Sequence, residues 1–272
     1  MVEIPEDELK SLKRQLMKLK LESKLRSNMS RELDRQKSIA EKAELLAKEK
    51  SEEIEAIANQ LSKYLSPQLY DSIFSGKKEV VITSEKKFLT IFFSDLVSFT
   101  NISDTMDSVP LTKMLNEYLN KMTDIALSYG ATIDKYIGDA VMIFFGDPES
   151  KGIERDALSC VKMAKDMQSE MKSMSEYWLK NYSLKNPLQI RIGINSGECT
   201  VGNFGSERRL DYTVIGSPVN LASRLESLAP HSGILISDST HSLIKNKIEC
   251  TQFGNIEVKG FKHKFKTFNV NF

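Results

Sequence analysis

Two aspartates stand at matching places in this chain: Asp95 just past the apolar run Phe88-Leu-Thr-Ile-Phe-Phe93, and Asp139 in the turn of Tyr136-Ile-Gly-Asp-Ala-Val-Met-Ile-Phe144. A carboxylate at the end of a buried strand is held more rigidly than one on a loop, and a pair of them can bind hard divalent cations against a phosphate chain. Asn220 and Arg224 lie four apart after Gly216-Ser-Pro218, so on a helix they share one face and reach one ligand. The chemistry these groups suit is that of phosphates.

The elements that must position them read as follows. A strand is predicted over about 88–94, a helix over 108–129, a hairpin of strands over 131–137 and 140–145, and one long helix over 153–180. A strand over 188–196, a strand over 211–215, a helix over 217–228, and short strands with one further helix complete the chain. The order β-α-β-β-α-β is the ferredoxin-like core, an α+β fold, extended here by C-terminal elements. The methionines of Cys160–Met174 recur at helical spacing and read as core filling rather than a metal site. The three histidines are scattered and receive no role.

The first sixty residues are of another kind: rich in Lys, Glu, Leu and Ala, nearly free of Gly and aromatic residues. Leu12, Leu19, Leu33, Ala40, Ala47, Ile54 and Leu61 fall on one seven-residue repeat that only Arg26 breaks. The partner positions Met29, Ala43, Ile57 and Tyr64 are apolar, whereas Gln15, Glu22, Gln36 and Lys50 are not. A parallel coiled coil of modest strength is the favoured reading, and a single solvated helix held by Glu/Lys pairs is the alternative. A weak seam suits a signalling helix, because a pair that is too stable cannot change register or rotation. Pro67 and Gly76 then mark a joint with a short helix between them. The expected domains are a signalling helix over 1–61, a joint over 62–85 and a catalytic domain over 86–272.

Composition narrows the function classes. A formal net charge of +1 gives no ground for a nucleic-acid or anionic-membrane surface. Cys160, Cys199 and Cys250 are widely spaced and odd in number, which suggests neither a disulfide framework nor a Cys-x-x-Cys zinc site. The N-terminus lacks the order of a signal peptide and no stretch approaches ~18 consecutive apolar residues. A cytoplasmic location is expected, either for the chain alone or as the cytoplasmic part of a larger protein.

Three segments together carry a resemblance. Phe92-Phe-Ser-Asp-Leu-Val-Ser-Phe-Thr100, Asp134-Lys-Tyr-Ile-Gly-Asp-Ala-Val-Met142 and Asp211-Tyr-Thr-Val-Ile-Gly-Ser-Pro-Val-Asn-Leu-Ala-Ser-Arg224 resemble, in order, the signature segments of the class III nucleotidyl cyclases. The resemblance covers roughly residues 86–270. It implies that Asp95 and Asp139, with the backbone carbonyl of Leu96, hold two Mg²⁺ or Mn²⁺ ions. One would lower the pKa of the ribose 3′-hydroxyl, and the other would hold the triphosphate and the departing pyrophosphate.

The resemblance further implies that Lys135 and Thr213 read the purine. Adenine offers an acceptor at N1 and a donor at its 6-amino group, which a Lys donor and a hydroxyl acceptor complement. Guanylyl cyclases usually carry Glu and Cys at these places. Thr213 departs from the Asp of many adenylyl cyclases, and a hydroxyl, able to donate as well as accept, rejects guanine less sharply. The Lys/Thr pair resembles the branch containing the soluble, bicarbonate-responsive adenylyl cyclases. Asn220 would contact the ribose, Arg224 the phosphates, and Lys259, in Glu257-Val-Lys-Gly260, the terminal phosphates. In the family the metal carboxylates and the purine-reading residues come from opposite subunits of a head-to-tail pair, and this chain carries both sets. A homodimer with two equivalent sites is therefore expected, converting ATP to 3′,5′-cyclic AMP and pyrophosphate as the output half of a protein with an upstream sensor or regulator. A guanylyl or mixed-purine cyclase, and a catalytically silent nucleotide-sensing partner, are the alternatives.

Overall fold

The computed structural model describes residues 6–65, 70, 83–206, 208–257 and 264–272. The joint around Pro67 and Gly76, and Lys259, lie outside the described residues. The chain divides into two units, Met1–Tyr64 and Leu65–Phe272.

The first unit is helix α1, Glu6–Leu61, followed by a 3₁₀ turn at Ser62–Tyr64. Its 56 residues contain no Gly or Pro, the two residues most costly to a helix interior. Lys37 pairs with Glu41 at 3.9 Å, Lys50 with Glu53 at 2.5 Å, and Gln36 donates to Glu32 at 3.0 Å. Such exposed pairs contribute about 0.2–0.5 kcal/mol each to a helix. The apolar seam is uncovered in the single chain: Leu12, Leu19, Leu33, Ile54 and Leu61 are all exposed.

The second unit is built on a mixed sheet. Its strands are β1 (Ser84–Leu96), β2 (Thr132–Ile137), β3 (Ala140–Phe145), β4 (Ile190–Ser206), β5 (Arg209–Ile215), β6 (Ile234–Ser237), β7 (Cys250–Ile256) and β8 (Phe265–Val270). The order across the sheet is β2-β3-β1-β4-β6-β8-β7. Strand β5 pairs with β4 off this path. The helices are α2 (Phe99–Thr105), α3 (Ser108–Ser128), α4 (Ile153–Ser173), α5 (Ser175–Asn181), α6 (Ser217–Leu228) and α7 (Asp238–Ile244). This is the expected α+β, ferredoxin-like order β1-α3-β2-β3-α4-β4 with C-terminal additions.

Strand β1 is apolar on both faces because both are covered. Phe92 shares a buried cluster with Met114, Tyr118, Met122, Met163 and Met167 of α3 and α4, while Ile91 and Phe93 join Met142, Phe144, Val201, Val214 and Ala222 in a separate cluster. Met163, Met167 and Met171 are buried, as the core-filling reading of their helix requires.

Two expectations need correction. The helix predicted over 153–180 is two helices meeting at Met174. The α-helical bonds Met174 N–H to Glu170 O and Trp178 N–H to Met174 O continue through the junction, so it bends without stopping. At the bend the Ser173 hydroxyl bonds back to Glu170 O at 2.9 Å, a local competition that disturbs helices. The strand predicted over 188–196 extends to Ser206, because its second half gains β5 as a hairpin partner, from Thr200↔Ile215 to Ser206↔Arg209.

Candidate active site

Asp95 is the penultimate residue of β1, and Asp139 occupies the β2–β3 turn. Gly138, at φ 65°, permits that turn. Antiparallel pairing of β1 with β3, Ser94 opposite Val141, brings the turn beside the end of β1. The Leu96 N–H donates to Asp139 Oδ2 at 3.1 Å and fixes the carboxylate. Burial, and then the facing Asp95 carboxylate, push the Asp139 carboxyl up to about 7, partly offset by the backbone donors. Two carboxylates facing one another in a half-buried setting are a fitting donor set for a divalent cation, whose charge removes the conflict. Asp95, Asp139 and the Leu96 backbone would hold it. Among the described residues no group of three or more His, Cys, Asp or Glu side chains forms a separate candidate.

A cation already leans on Asp95, one member of this pair. Arg191, near the start of β4 and opposite Asp95 in the β1–β4 register, places Nη2 at 3.1 Å from Asp95 Oδ2 and at 3.1 Å from Glu226 Oε1. The Glu226 contact is one of charge rather than a directed hydrogen bond, since Glu226 Oε1 and Arg191 Nε lack hydrogen-bond partners among the described residues. Burial raises the Glu226 carboxyl above its ordinary value; Arg191 opposes that shift and Asp95 adds to it. Glu226 belongs to α6, the helix bearing Asn220 and Arg224. Both of those side chains are exposed and make no hydrogen bond or ion pair among the described residues. Helix α6 is seated directly on β4, where a Cβ on Gly193 would come within 2.0 Å of Glu226 N.

Lys135 and Thr213 meet through a third residue. In β2, Ile133 pairs with Ile143 and Lys135 with Met142, so Asp134 is the extra residue of a β-bulge. Its carboxylate, fully enclosed, accepts from Thr213 Oγ1 at 2.6 Å and from Val214 N at 3.4 Å, and its Oδ1 lies 3.2 Å from Lys135 Nζ. Burial raises the Asp134 carboxyl, and these three neighbours pull it back. Strand β5 is further tied down by Tyr212, whose hydroxyl donates to the buried Asp147 carboxylate, itself paired with Lys87 Nζ at 2.5 Å.

Thus Asp95, Asp139 and Leu96 form one group, Lys135 and Thr213 a second, and Asn220 with Arg224 an exposed third on α6. Among the described residues no hydrogen bond or ion pair joins the first group to the other two side-chain sets. Arg191, Glu226 and Asp134 are the residues that sequence reasoning passed over. The signal was present: each is a charge inside a run that otherwise reads as strand or buried helix face, as in Ile190-Arg-Ile-Gly-Ile194.

Residues 81–271 match the adenylate and guanylate cyclase catalytic domain. The chain is 32% identical over 231 residues to the guanylate cyclase soluble subunit beta-2 of Rattus norvegicus, covering 80% of this chain and 32% of that protein. It is 32% identical over 185 residues to an adenylate cyclase of Anabaena cylindrica, covering 67% of this chain and 35% of that protein. It therefore spans about a third of the length of these curated relatives. Among solved structures, the adenylyl cyclase CyaB of P. aeruginosa superposes with a TM-score of 0.68 at 49% identity, over 70% of this chain and 97% of that one.

Proposed function

The chain belongs to the class III nucleotidyl cyclases, and from that membership we propose that it is an adenylyl cyclase, closing ATP to 3′,5′-cyclic AMP with release of pyrophosphate at sites shared between two copies of the chain. The observation that carries the choice of ATP is the meeting of Lys135 and Thr213 on one buried carboxylate: a donor and an acceptor side by side, as the N1 and 6-amino edge of adenine requires. Glu and Cys, the pair that resemblance associates with guanine, are absent from these positions.

In this reading Lys135 and Thr213 orient the base. Asn220 holds the ribose, so that its 3′-oxygen faces the α-phosphorus in line with the leaving pyrophosphate. Arg224 meets the negative charge that builds on the phosphates in the transition state. Lys259 is assigned to the terminal phosphates. Asp95 and Asp139, with the Leu96 carbonyl, hold Mg²⁺ or Mn²⁺, which when bound supplies acidification of the 3′-hydroxyl and charge neutralisation of the triphosphate. The exposure of Asn220 and Arg224 on α6 supports their use across a head-to-tail interface. The uncovered heptad seam of α1 supports a parallel pairing of the two N-terminal helices and a role in transmitting an upstream signal.

A guanylyl reading draws on the 32% identity to a guanylate cyclase subunit. Turnover of the purified chain with ATP and with GTP, in Mg²⁺ and Mn²⁺ and at several protein concentrations, separates the two. Cyclic AMP as the main product, with specific activity rising as dimer forms, is the expected result. Cyclic GMP as the main product overturns the purine assignment, and ATP binding without turnover leaves a silent partner.

A further inference from the structure

We propose that Asp134 sets purine selectivity by committing the single hydroxyl hydrogen of Thr213, which turns an ambivalent hydroxyl into an obligate acceptor. The inference rests on the reading above, in which Lys135 and Thr213 face the purine.

A threonine hydroxyl has one hydrogen and two lone pairs. Left to itself it accepts from the 6-amino group of adenine or donates to the 6-oxo group of guanine, and so distinguishes them poorly. Here the hydrogen has a prior partner. An ionised carboxylate only accepts, and Asp134 Oδ2 lies 2.6 Å from Thr213 Oγ1. The Asp134 side chain is 0% exposed, so water does not compete for it. Thr213 is itself buried, and with its hydrogen spent it presents only lone pairs to a ligand.

The same carboxylate lies beside the second reader, in a contact of charge. Lys135 Nζ, 3.2 Å from Asp134 Oδ1, has three hydrogens and no lone pair, so it can only donate. One donor and one acceptor fit the adenine edge, whereas guanine offers a donor at N1 and an acceptor at O6 and is opposed at both points. The bulge makes this possible. Regular alternation would send the side chains of two consecutive strand residues to opposite faces, and the extra residue in β2 lets Asp134 and Lys135 meet each other while Asp134 reaches β5.

The test uses the full chain and the ratio of kcat/KM for ATP to that for GTP. In Asp134→Asn the amide can donate to Thr213 and free its hydrogen, so the ratio should fall about ten- to a hundredfold, chiefly through a gain in GTP use. Equal losses for both nucleotides, with the ratio unchanged, would make Asp134 a structural tie between β2 and β5 and overturn the proposal. Thr213→Val, which leaves Asp134 with Lys135 and the Val214 N–H, provides a second arm should Asp134→Asn fail to fold. ATP use should drop while GTP use holds, and a ratio that stays or rises shows that Thr213 was not the acceptor. A wild-type chain that prefers GTP or turns over neither nucleotide overturns the adenylyl reading itself, whereas an ATP-selective wild type with an unmoved ratio in the variants overturns only the part given to Asp134.

Discussion

Gly193→Ala should cripple catalysis from beneath the site without touching a proposed ligand. The added Cβ would stand 2.0 Å from Glu226 N, 2.4 Å from Ala222 O and 2.7 Å from Glu226 Cα, all backbone atoms of α6. Ordinary contact begins near 3.4 Å, so the helix must lift by about 1.4 Å, the difference between that and the 2.0 Å approach. No flexible side chain can absorb the strain. Overpacking of this kind costs about 3 kcal/mol, and for a unit of this size Tm should fall by about 6–12 °C. The displaced helix carries Asn220 and Arg224, and a misplacement of about 1 Å in a positioning group costs about a hundredfold in rate. Thermal melts, size-exclusion chromatography and cyclase turnover with saturating Mn²⁺ would be measured together. A folded dimer with kcat about a hundredfold lower is the expected outcome. A variant that keeps kcat within about threefold and Tm within about 2 °C would refute the direct seating of α6 on β4, and with it the positioning role given to that helix.

The shared site predicts complementation: Asp95→Ala and Arg224→Ala should each be inactive as homodimers, yet an equilibrated mixture should recover about a quarter of wild-type activity. Random pairing makes half the dimers mixed and leaves one of two sites whole in each; no recovery in demonstrated heterodimers would place both residues in one chain's site. Mn²⁺ should raise the Tm of the wild type but not of Asp139→Asn, and an equal rise in both would remove Asp139 from the metal set. His241 stacks on Phe268 at 3.8 Å, and its pKa is lowered by burial, with Asp238 opposing and Lys245 and Lys266 adding to the shift. A depressed folded pKa means that the unfolded chain takes up the proton first, so stability is lost as pH falls below about 6.5. Urea midpoints at pH 7.5 and 5.5 should therefore converge in His241→Phe relative to wild type, and an unchanged gap would contradict the assignment. Removal of residues 1–60 should shift the protein concentration for half-maximal specific activity upwards; an unchanged curve would reduce α1 to a tether.

How much of this was legible in the chain depended on the range of the interaction involved. The strands, the hairpin around Asp139 and the helix bearing Asn220 and Arg224 could be read because each is fixed by local pattern: an apolar run, a Gly in a turn, a Pro at a helix start. The pairing of Asp95 with Asp139 was suggested by matched strand-end settings, and the β1–β3 register supplies its physical basis. The bulge at Asp134 was not readable, because it is a property of two strands in register and leaves no mark on one of them. The pairing of Arg191 was unreadable for a similar reason. Its partners Asp95 and Glu226 come from strand and helix segments far apart in sequence, and only the sheet brings them to one guanidinium. The bend at Met174 interrupts a stretch whose helical pattern runs on through it, so periodicity did not register it.

Two elements link the half-sites. Strand β4 carries Arg191 against the Asp95 carboxylate and Gly193 beneath α6, and further along pairs Gly202 with Thr213. The β2–β3 hairpin holds Asp134 and Lys135 in one strand and Asp139 in its turn. Both are hydrogen-bonded pieces of one sheet, so the purine reader and the metal carboxylates of one chain are tied to each other through its backbone. If the sites are shared as proposed, those two groups serve different active sites of the dimer. A rigid sheet within each chain then makes closure of one site a geometric event at the other, and the uncovered seam of α1 need bias only one relative placement of the two sheets to govern both.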